Sequence, residues 1–286
     1  MSAASTPVVI DAHVHFWDPR RFRYPWLASL PALNRAFLPE DYQQASAFSR
    51  VAKFIFVECD CDAPHRLDEV KWISDLARIE SRLKGIVAHA AVETATSIRA
   101  HLATLARNPL VKGVRRILQS EADPNFCLQP NFIAGVEALA DFGFTFDLCV
   151  VPAQLPAVTE LARRCHRVQF ILDHCGKPAI RDGRLDPWRQ QLRELAALPN
   201  VVCKISGLVT ESDPSRCGAV HFGPYVTHAL ECFGFDRVLF AGDWPVCNLA
   251  ATHSDWTRTL SAIVASARPS DLSKLYENNA ERIYRV

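Results

Sequence analysis

Residues 8–16 read Val8-Val9-Ile10-Asp11-Ala12-His13-Val14-His15-Phe16, an apolar run in which two histidines stand two positions apart. A continuous apolar run of this length is typical of a strand that is buried on both faces, as strands are in a parallel sheet. Seven further runs rich in Val, Ile and Phe follow at intervals of roughly 25 to 45 residues. They occupy residues 51–60, 84–93, 111–118, 144–151, 168–177, 200–208 and 236–245.

Segments with helical spacing separate these runs. In residues 67–79, Leu67, Val70, Ile73 and Leu76 fall on one face of a helix. Strands that alternate with helices form βαβ units with right-handed crossovers. Eight such units without a linker-like break predict a closed (β/α)8 TIM barrel and a single domain over residues 1–286. The other helical segments are residues 132–142, 153–164, 188–198 and 225–233.

The alternative architecture is an open, doubly wound α/β sheet. Its glycine-rich phosphate loop is missing from this sequence, since no G-x-G-x-x-G follows the first strand and no G-x-x-x-x-G-K occurs. The barrel is therefore the favoured prediction. The longest insertion, residues 17–43, follows the first strand and is expected to cover the barrel mouth as a lid or rim.

Composition and charge exclude several classes of partner. The 286 residues carry a formal net charge of +1 and no block of like charges, so neither a nucleic-acid surface nor a polybasic membrane patch is expected. Residues 1–7 show no basic or apolar leader region, and many of the ten cysteines lie within apolar runs. These features predict a cytoplasmic protein with reduced thiols and a small-molecule substrate. The oligomeric state stays open.

Polar side chains interrupt the apolar runs near their carboxyl ends. His13 and His15 share one face of the first strand, because side chains at i and i+2 point the same way. Burying a charge at a strand end is costly unless the charge is paired or used, and barrel active sites are assembled at these ends. Acids, bases and imidazoles at one end of most strands therefore predict a catalytic site. The other polar residues are Glu58, Arg115, Arg116, Asp147, Asp173, His174, Lys204, Ser206 and Asp243.

Two nucleophilic chemistries are disfavoured. No G-x-S-x-G elbow occurs, which argues against a serine nucleophile. Cys175 follows His174 directly, but neighbouring residues of a strand point to opposite faces, so a thiol–imidazole dyad is not expected. Trp17, Trp26 and Trp244 are expected near the mouth, where an indole can stack on a substrate ring.

Four stretches of the chain carry a resemblance to a known family. They are Asp11-Ala12-His13-Val14-His15-Phe16-Trp17, Leu172-Asp173-His174-Cys175-Gly176-Lys177-Pro178, Asp236-Arg237-Val238-Leu239-Phe240-Ala241-Gly242-Asp243-Trp244-Pro245 and Asn278-Asn279-Ala280-Glu281-Arg282-Ile283-Tyr284. Together they resemble the amidohydrolase superfamily, and within it the lactonase branch that includes L-fuconolactonase, L-rhamnonolactonase and 2-pyrone-4,6-dicarboxylate lactonase. The resemblance spans essentially the whole chain and is greatest to the L-fuconolactonase-like sugar lactonases.

The resemblance implies a role for each matching residue. His13 and His15 correspond to paired histidines that bind a metal or, in metal-free members, polarise the substrate carbonyl. Asp243 corresponds to the aspartate that activates water, and His174 to a conserved histidine of a later strand. One divalent ion, zinc above all, would be held by His13, His15 and Asp243.

The fourth strand departs from the pattern of binuclear members. Arg115 and Arg116 stand at its end in place of a bridging lysine or glutamate, and Lys112 lies at the other end. A single ion, or none, is therefore expected. Of the two arginines, Arg115 is expected to face inward, because it shares a face with Gly113 and a small residue suits a crowded barrel interior.

These residues suit the opening of a sugar-derived aldonolactone by water. Asp243 would accept the proton of the attacking water. His13 and His15, directly or through one ion, would stabilise the oxyanion, and His174 would complete that site or protonate the leaving alkoxide. Two alternatives stay open: a metal-dependent, non-oxidative decarboxylase of an aromatic acid, and a non-catalytic metal-binding barrel. The candidates for substrate binding are Arg115, Arg116, Glu58, Asp147 and Trp26.

Overall fold

The computed structural model describes residues 8–94 and 97–286. Within them, eight parallel strands form one sheet, in which each strand pairs with the next along the chain. Each strand overlaps one of the predicted apolar runs, and most strand residues are buried, as strands covered on both faces must be. The strands are β1 (Val9–Val14), β2 (Val51–Val57), β3 (Leu83–His89), β4 (Val111–Arg115), β5 (Thr145–Leu148), β6 (Phe170–Leu172), β7 (Val201–Ile205) and β8 (Val238–Phe240).

The end of the sheet returns to its beginning and closes it into a barrel. Val14 forms a parallel bridge with Trp244, just beyond β8. The amide of Asp243 donates to the carbonyl of His13 over 2.9 Å, and the amide of His15 donates to the carbonyl of Trp244 over 2.8 Å. The predicted (β/α)8 TIM barrel is therefore confirmed, and the open doubly wound sheet is excluded.

Ten α-helices accompany the strands in the described part of the chain. The first lies in the insertion after β1, one helix follows each of the other seven strands, and two more end the chain. The five predicted helices correspond to α2, α4, α5, α6 and α7. The helices are α1 (Pro39–Ala45), α2 (Arg66–Leu76), α3 (Ile98–Leu105), α4 (Pro130–Phe142), α5 (Leu155–Arg164), α6 (Trp188–Ala196), α7 (Ala219–Phe233), α8 (His253–Ile263), α9 (Pro269–Ser273) and α10 (Asn279–Tyr284).

The last helix, α10, supports the base of the barrel. Its residues Ala280, Ile283 and Tyr284 pack on the apolar side chains that fill the barrel interior. Asn279 donates to the carbonyl of Val238 over 2.8 Å, at the amino end of β8. Because barrel active sites occupy the opposite, carboxyl ends of the strands, α10 leaves the mouth of the barrel free.

The insertion after β1 packs against the carboxyl end of β2. Trp17 pairs with Phe37 across the insertion, and its indole packs edge-on against that of Trp26 at 5.1 Å. The indole N–H of Trp26 donates to the carbonyl of Cys59 over 2.8 Å. These contacts hold the insertion at the mouth of the barrel, where a rim was expected.

Three further expectations concern the chain as a whole. No helix among the described residues is long and apolar enough to span a membrane. All ten cysteines lie in the described residues, and all are free. The expectation about a leader region falls on residues 1–7, which lie outside the described residues.

Candidate active site

Four side chains converge at the mouth of the barrel. His13 and His15 lie at the end of β1, His174 follows β6 and Asp243 follows β8. The pairing of β1 with β2 shifts register near its carboxyl end, and such irregularities re-aim side chains beside active sites. His174 and Asp243 both adopt a left-handed backbone, with φ of 55°. This conformation is unfavourable for residues other than glycine and is frequent at functional sites.

Asp243 lies at the centre of this group. Its Oδ1 is 3.7 Å from Nε2 of His13, 3.6 Å from Nε2 of His15 and 3.9 Å from Nε2 of His174. The Nε2 atoms of the two β1 histidines are 3.1 Å apart. All four residues are buried, with at most 5% of their surface exposed. The floor of the site therefore gathers one carboxylate and three imidazole nitrogens around a single point.

Hydrogen bonds to the far nitrogens hold the rings in this orientation. Nδ1 of His15 is 2.7 Å from the carbonyl oxygen of Val57. Because a carbonyl only accepts, Nδ1 of His15 donates to Val57, and this bond turns Nε2 of the ring towards the carboxylate. Nδ1 of His174 is 2.9 Å from Oγ of Ser206 on the loop after β7. The end of β2 thus helps to fix the ring of His15, and the loop after β7 helps to fix the ring of His174.

Burial and neighbouring charge determine the ionisation of the site. Burial by itself raises the pKa of Asp243, but the facing imidazoles outweigh it and hold that pKa below its ordinary value. Burial lowers the pKa of His174 to about 4, although Asp243 opposes this shift. The pKa of His13 is also well below its ordinary value, chiefly because of burial. At neutral pH the carboxylate is therefore ionised and these two imidazoles are neutral, as proton transfer from water to the carboxylate requires.

A layer of paired charges lies beneath the floor. Nζ of Lys204 is 2.5 Å from Oδ2 of Asp147 and 2.9 Å from Oδ1 of Asp173. Nε of Arg115 is 2.8 Å from Oε1 of Glu58, and its Nη1 is 3.3 Å from Oδ2 of Asp173. Burial opposes the charge on Lys204, but its two carboxylate neighbours raise its pKa above the ordinary value. The ammonium is therefore charged although no part of the residue is exposed.

The donor atoms on the floor fit one divalent cation. Zinc ligands lie about 2.0–2.2 Å from the ion, which separates tetrahedral ligands by about 3.3 Å. The separations around Asp243 and between the β1 histidines, 3.1 to 3.9 Å, are close to this value. Ligand atoms of His13, His174 and Asp243 lie within 4.8 Å of one another. Of the predicted ligands His13, His15 and Asp243, this group keeps His13 and Asp243 and adds His174, whereas His15 lies outside it, beside His13 and Asp243.

The charge of the site also suits a cation. Four buried carboxylates, each with a charge of −1, surround the floor, and two side chains with a charge of +1, Lys204 and Arg115, contact them. The formal charge of these six groups is therefore −2. One divalent ion would balance this charge. The carboxylates are those of Glu58, Asp147, Asp173 and Asp243.

A cavity of about 340 Å³ opens above the floor. Its lining combines His15, His174 and Asp243 with Trp26 and Leu30 of the insertion, so the insertion forms one wall of the cavity. The other lining residues come from the loops at the strand ends. They are Cys59, Asp60, Arg115, Ile117, Gln119, Ser120, Cys149, Lys177, Thr210 and Val246.

The two arginines at the end of β4 separate, because consecutive residues of a strand point to opposite faces. Arg115 points inward and lines the cavity, as expected. Arg116 points outward, where its Nε is 2.9 Å from Glu93 and its Nη2 is 2.6 Å from Glu121. The expectation that Arg116 contacts the substrate is corrected by this geometry, since both carboxylate contacts lie away from the cavity lining.

Glu58 and Asp147 lie under the floor and not in the cavity wall. Each is at most 1% exposed, and each accepts a hydrogen bond from a buried cation, Arg115 or Lys204. The expectation that they bind the substrate directly is therefore corrected: they hold the cations in place. Sequence reasoning marked Lys204 and Asp173 as polar but gave them no role, although a lysine inside an apolar strand was itself a signal.

The loop residues of the cavity wall were also missed. Asp60, Gln119, Lys177 and Thr210 all line the cavity. They lie in irregular segments after the strands, where no periodic pattern marks a residue, so nothing in their local sequence singled them out. Trp26 is the exception, since the sequence did nominate it and the structure places it in the wall.

The chain is similar to several known proteins. The model of the amidohydrolase family matches residues 10–286. The L-fucono-1,5-lactonase of Burkholderia ambifaria is 33% identical over 282 residues, which cover 97% of this chain and 95% of that protein. The L-fucono-1,5-lactonase of Burkholderia multivorans is 35% identical over 288 residues, which cover 96% and 95%. A crystal structure of an amidohydrolase from Burkholderia multivorans with bound Zn has a TM-score of 0.88 at 34% identity, covering 98% of this chain and 99% of that one.

Proposed function

Because the chain belongs to the amidohydrolase family, we propose that it is a hydrolase that opens the ring of a sugar-derived aldonolactone. L-Fucono-1,5-lactone is the first candidate substrate. The observation that carries this proposal is the ionised carboxylate of Asp243, set among three imidazoles on the floor of a cavity. Two relatives named L-fucono-1,5-lactonase, at 33% and 35% identity, support the choice of substrate.

The charges of the cavity wall favour an uncharged, hydroxylated substrate. Two cations, Arg115 and Lys177, are among the lining residues. Nε of Arg115 is bonded to Glu58 over 2.8 Å, and Nζ of Lys177 is 3.8 Å from Glu211. Each cation already has a carboxylate partner, so a substrate carboxylate would find no free positive charge there. A neutral aldonolactone fits this wall better than a lactone that carries carboxylates, and the uncharged polar residues Gln119, Ser120 and Thr210 suit its hydroxyls.

The chain's own residues supply the base and the orientation for this reaction. Asp243 accepts a proton from the attacking water, and the surrounding imidazoles hold the carboxylate ionised until it does so. An imidazole N–H that faces the floor stabilises the oxyanion of the tetrahedral intermediate. His174 lines the cavity with its far nitrogen held by Ser206 and its Nε2 3.9 Å from Asp243, so it is placed to relay the proton that Asp243 has accepted to the leaving ring oxygen. A divalent ion, proposed to be zinc because a relative's structure contains it, would polarise the lactone carbonyl when bound to these residues.

A screen of aldonolactones in weakly buffered medium with a pH indicator tests the proposal, since ring opening releases a carboxylic acid. The variant Asp243→Asn removes the base while it keeps the size of the side chain. We expect kcat to fall by about 10²-fold or more, with the melting temperature close to that of the wild type. A variant that keeps more than about a tenth of the wild-type kcat would show that Asp243 is not the base.

The same screen, repeated after chelation, shows whether the ion is needed for turnover. The decarboxylase alternative is tested beside it, because release of CO2 from an aromatic acid without lactone hydrolysis would replace the proposal. We further propose that the whole chain is one domain and that the enzyme acts in sugar catabolism in the cytoplasm. Its ten free cysteines support a reducing compartment.

A further inference from the structure

Asp60, on the loop after β2, differs from the other charged residues that line the cavity. Arg115 and Lys177 each face a glutamate, and Asp243 lies among imidazoles. In residues 8–94 and 97–286, by contrast, no lysine, arginine or histidine nitrogen lies within 4.0 Å of the Asp60 carboxylate, and no group donates a hydrogen bond to it. The residue is exposed, and it lines the cavity. Asp60 therefore presents an acceptor that the protein itself does not use.

The peptide group that precedes Asp60 is held from both sides. Its carbonyl oxygen, which belongs to Cys59, accepts a hydrogen bond from the indole N–H of Trp26 over 2.8 Å. Its N–H, which belongs to Asp60, donates to Oε2 of Glu58 over 2.7 Å. Asp60 itself has a left-handed backbone with φ of 51°, a conformation that persists where the surrounding contacts impose it. These contacts fix the place of Asp60 in the wall and leave its carboxylate free.

A fixed carboxylate without a donor suits a ligand that brings hydroxyl groups. An ionised carboxylate only accepts, and its two oxygens can receive one hydrogen bond each from two neighbouring hydroxyls of a sugar. Hydrogen bonds to an ionised group are roughly twice as strong as those between neutral groups. Burial and the nearby Glu58 raise the pKa of Asp60, with more distant arginines in opposition, and a donating hydroxyl would stabilise the charged form. A ligand carboxylate at the same place would meet a like charge instead.

We propose that Asp60 determines substrate specificity: it accepts hydrogen bonds from the hydroxyls of a neutral sugar lactone and repels lactones that carry a carboxylate. This inference rests on the proposed function for the reaction itself and assigns the choice of substrate to one side chain. Arg115 and Lys177 do not offset the repulsion, because each already faces a glutamate. Asp60 acts on binding, whereas Asp243 on the floor is the proposed base. Loss of the Asp60 charge should therefore change KM and leave kcat unchanged.

Kinetics of Asp60→Asn with three lactones test the proposal. Asparagine keeps the size of the side chain and tolerates the left-handed backbone as aspartate does, so the variant should fold. For L-fucono-1,5-lactone we expect KM to rise about tenfold or more, the value of a hydrogen bond to a charged group. For δ-valerolactone, which has the same ring without hydroxyls, kcat/KM should stay unchanged. The 1,4-lactone of glucaric acid carries a carboxylate, and its inhibition constant should fall, because the variant no longer repels it.

Asp62→Asn is the matched control, since it removes the same charge from the same loop. The carboxylate of Asp62 is 2.9 Å from Nη1 of Arg23, and the residue is not part of the cavity lining. This variant should leave the constants of all three lactones unchanged. Equal changes in the two variants would overturn the proposal, because the effect would then come from the overall charge of the loop. A loss with δ-valerolactone as large as that with the sugar lactone would overturn it as well, because hydroxyls would not be involved.

Binding of a lactam separates this proposal from the proposed function. L-Fucono-1,5-lactam has N–H in place of the ring oxygen, resists hydrolysis and keeps every hydroxyl. We expect its Kd, measured by titration calorimetry, to rise about tenfold or more in Asp60→Asn and to stay unchanged in Asp62→Asn. If the lactam binds in this way but no lactone is hydrolysed, the proposed function fails and the role of Asp60 in binding stands. If lactones are hydrolysed but the lactam binds equally to the wild type and Asp60→Asn, the role of Asp60 is refuted.

Discussion

Gly207, just after β7, offers a direct test of the position of His174. Its φ is +64°, and a Cβ at this residue would stand 2.5 Å from Cγ and 2.6 Å from Nδ1 of the His174 ring. Ordinary van der Waals contact begins at 3.4 Å, so the ring must retreat by the difference, about 0.9 Å. Gly207→Ala therefore displaces a proposed proton donor without changing any group that takes part in chemistry.

The size of the effect follows from this displacement. A shift of about 1 Å in an active-site group costs on the order of 10²-fold in rate, so we expect kcat for the aldonolactone to fall about 100-fold in Gly207→Ala. The left-handed backbone itself costs an alanine about 1–2 kcal/mol. Each kcal/mol lowers the melting temperature of a chain of this size by about 2–4 °C. Steady-state kinetics and thermal unfolding measure the two effects separately.

Gly183 provides the matched control for the backbone strain. Its φ is +65°, and no heavy atom lies within 4 Å of a Cβ built on it. Gly183→Ala should therefore lose only the stability that the left-handed backbone costs and keep the wild-type kcat. If Gly207→Ala also keeps the wild-type kcat, the proposed role of His174 in turnover is refuted, because either the ring moves without effect on the rate or it takes no part in the reaction.

Two further predictions concern buried carboxylates. Arg115→Met should lower the free energy of unfolding by about 3–5 kcal/mol, because it leaves Glu58 without a buried cation and removes one of the two cations that face Asp173. Arg116→Met should cost about 1 kcal/mol and leave kcat unchanged; equal losses in urea unfolding would contradict the different orientations of the two arginines. Glu69→Gln should gain stability relative to the wild type between about pH 5 and pH 8. Burial, with a smaller effect of Glu58, raises the pKa of Glu69 to about 8, so in this window the unfolded chain has lost a proton that the folded wild type keeps, and wild-type stability falls as pH rises. A difference in melting temperature that stays constant across this window would mean that Glu69 is ionised in the folded protein.

The barrel was predictable because its signal is local. Each buried strand needs an apolar run of its own, and each helix needs its own apolar face. The pattern of either element can therefore be recognised within about ten residues of sequence. The residues at which the strands end were harder to predict. Residues 168–177 were predicted as one strand, but β6 ends at Leu172 and a turn with left-handed residues follows.

The turn after β6 also changes one argument about chemistry. His174 and Cys175 were expected to point to opposite faces of a strand, but both lie in the turn, with φ of 55° and 52°. They still form no dyad, for another reason: Sγ of Cys175 is 3.5 Å from the carbonyl of Lys204, whereas Nδ1 of His174 faces Ser206. Contacts with the neighbouring β7 therefore decide where the two side chains point, and these contacts join residues about thirty positions apart.

Some residues of the candidate site could also be predicted from the sequence. The paired histidines of β1 and the acid after β8 stand in recognisable motifs, because a costly polar residue inside an apolar run is visible in the sequence. The inward direction of Arg115 followed from the alternation of a strand, and the crowding that requires Gly113 beside it is confirmed: a Cβ there would stand 2.0 Å from Oγ1 of Thr145.

Other features depend on distances between strands that are remote in sequence. The contact of Lys204 with His13 joins residues 191 positions apart, and the closing of Asp243 on the β1 histidines joins the two ends of the barrel. Such contacts arise only when the sheet closes, because closure places the strand ends in one ring. Local sequence therefore showed which strands end in polar side chains, and the closed barrel decided which nitrogen faces which oxygen.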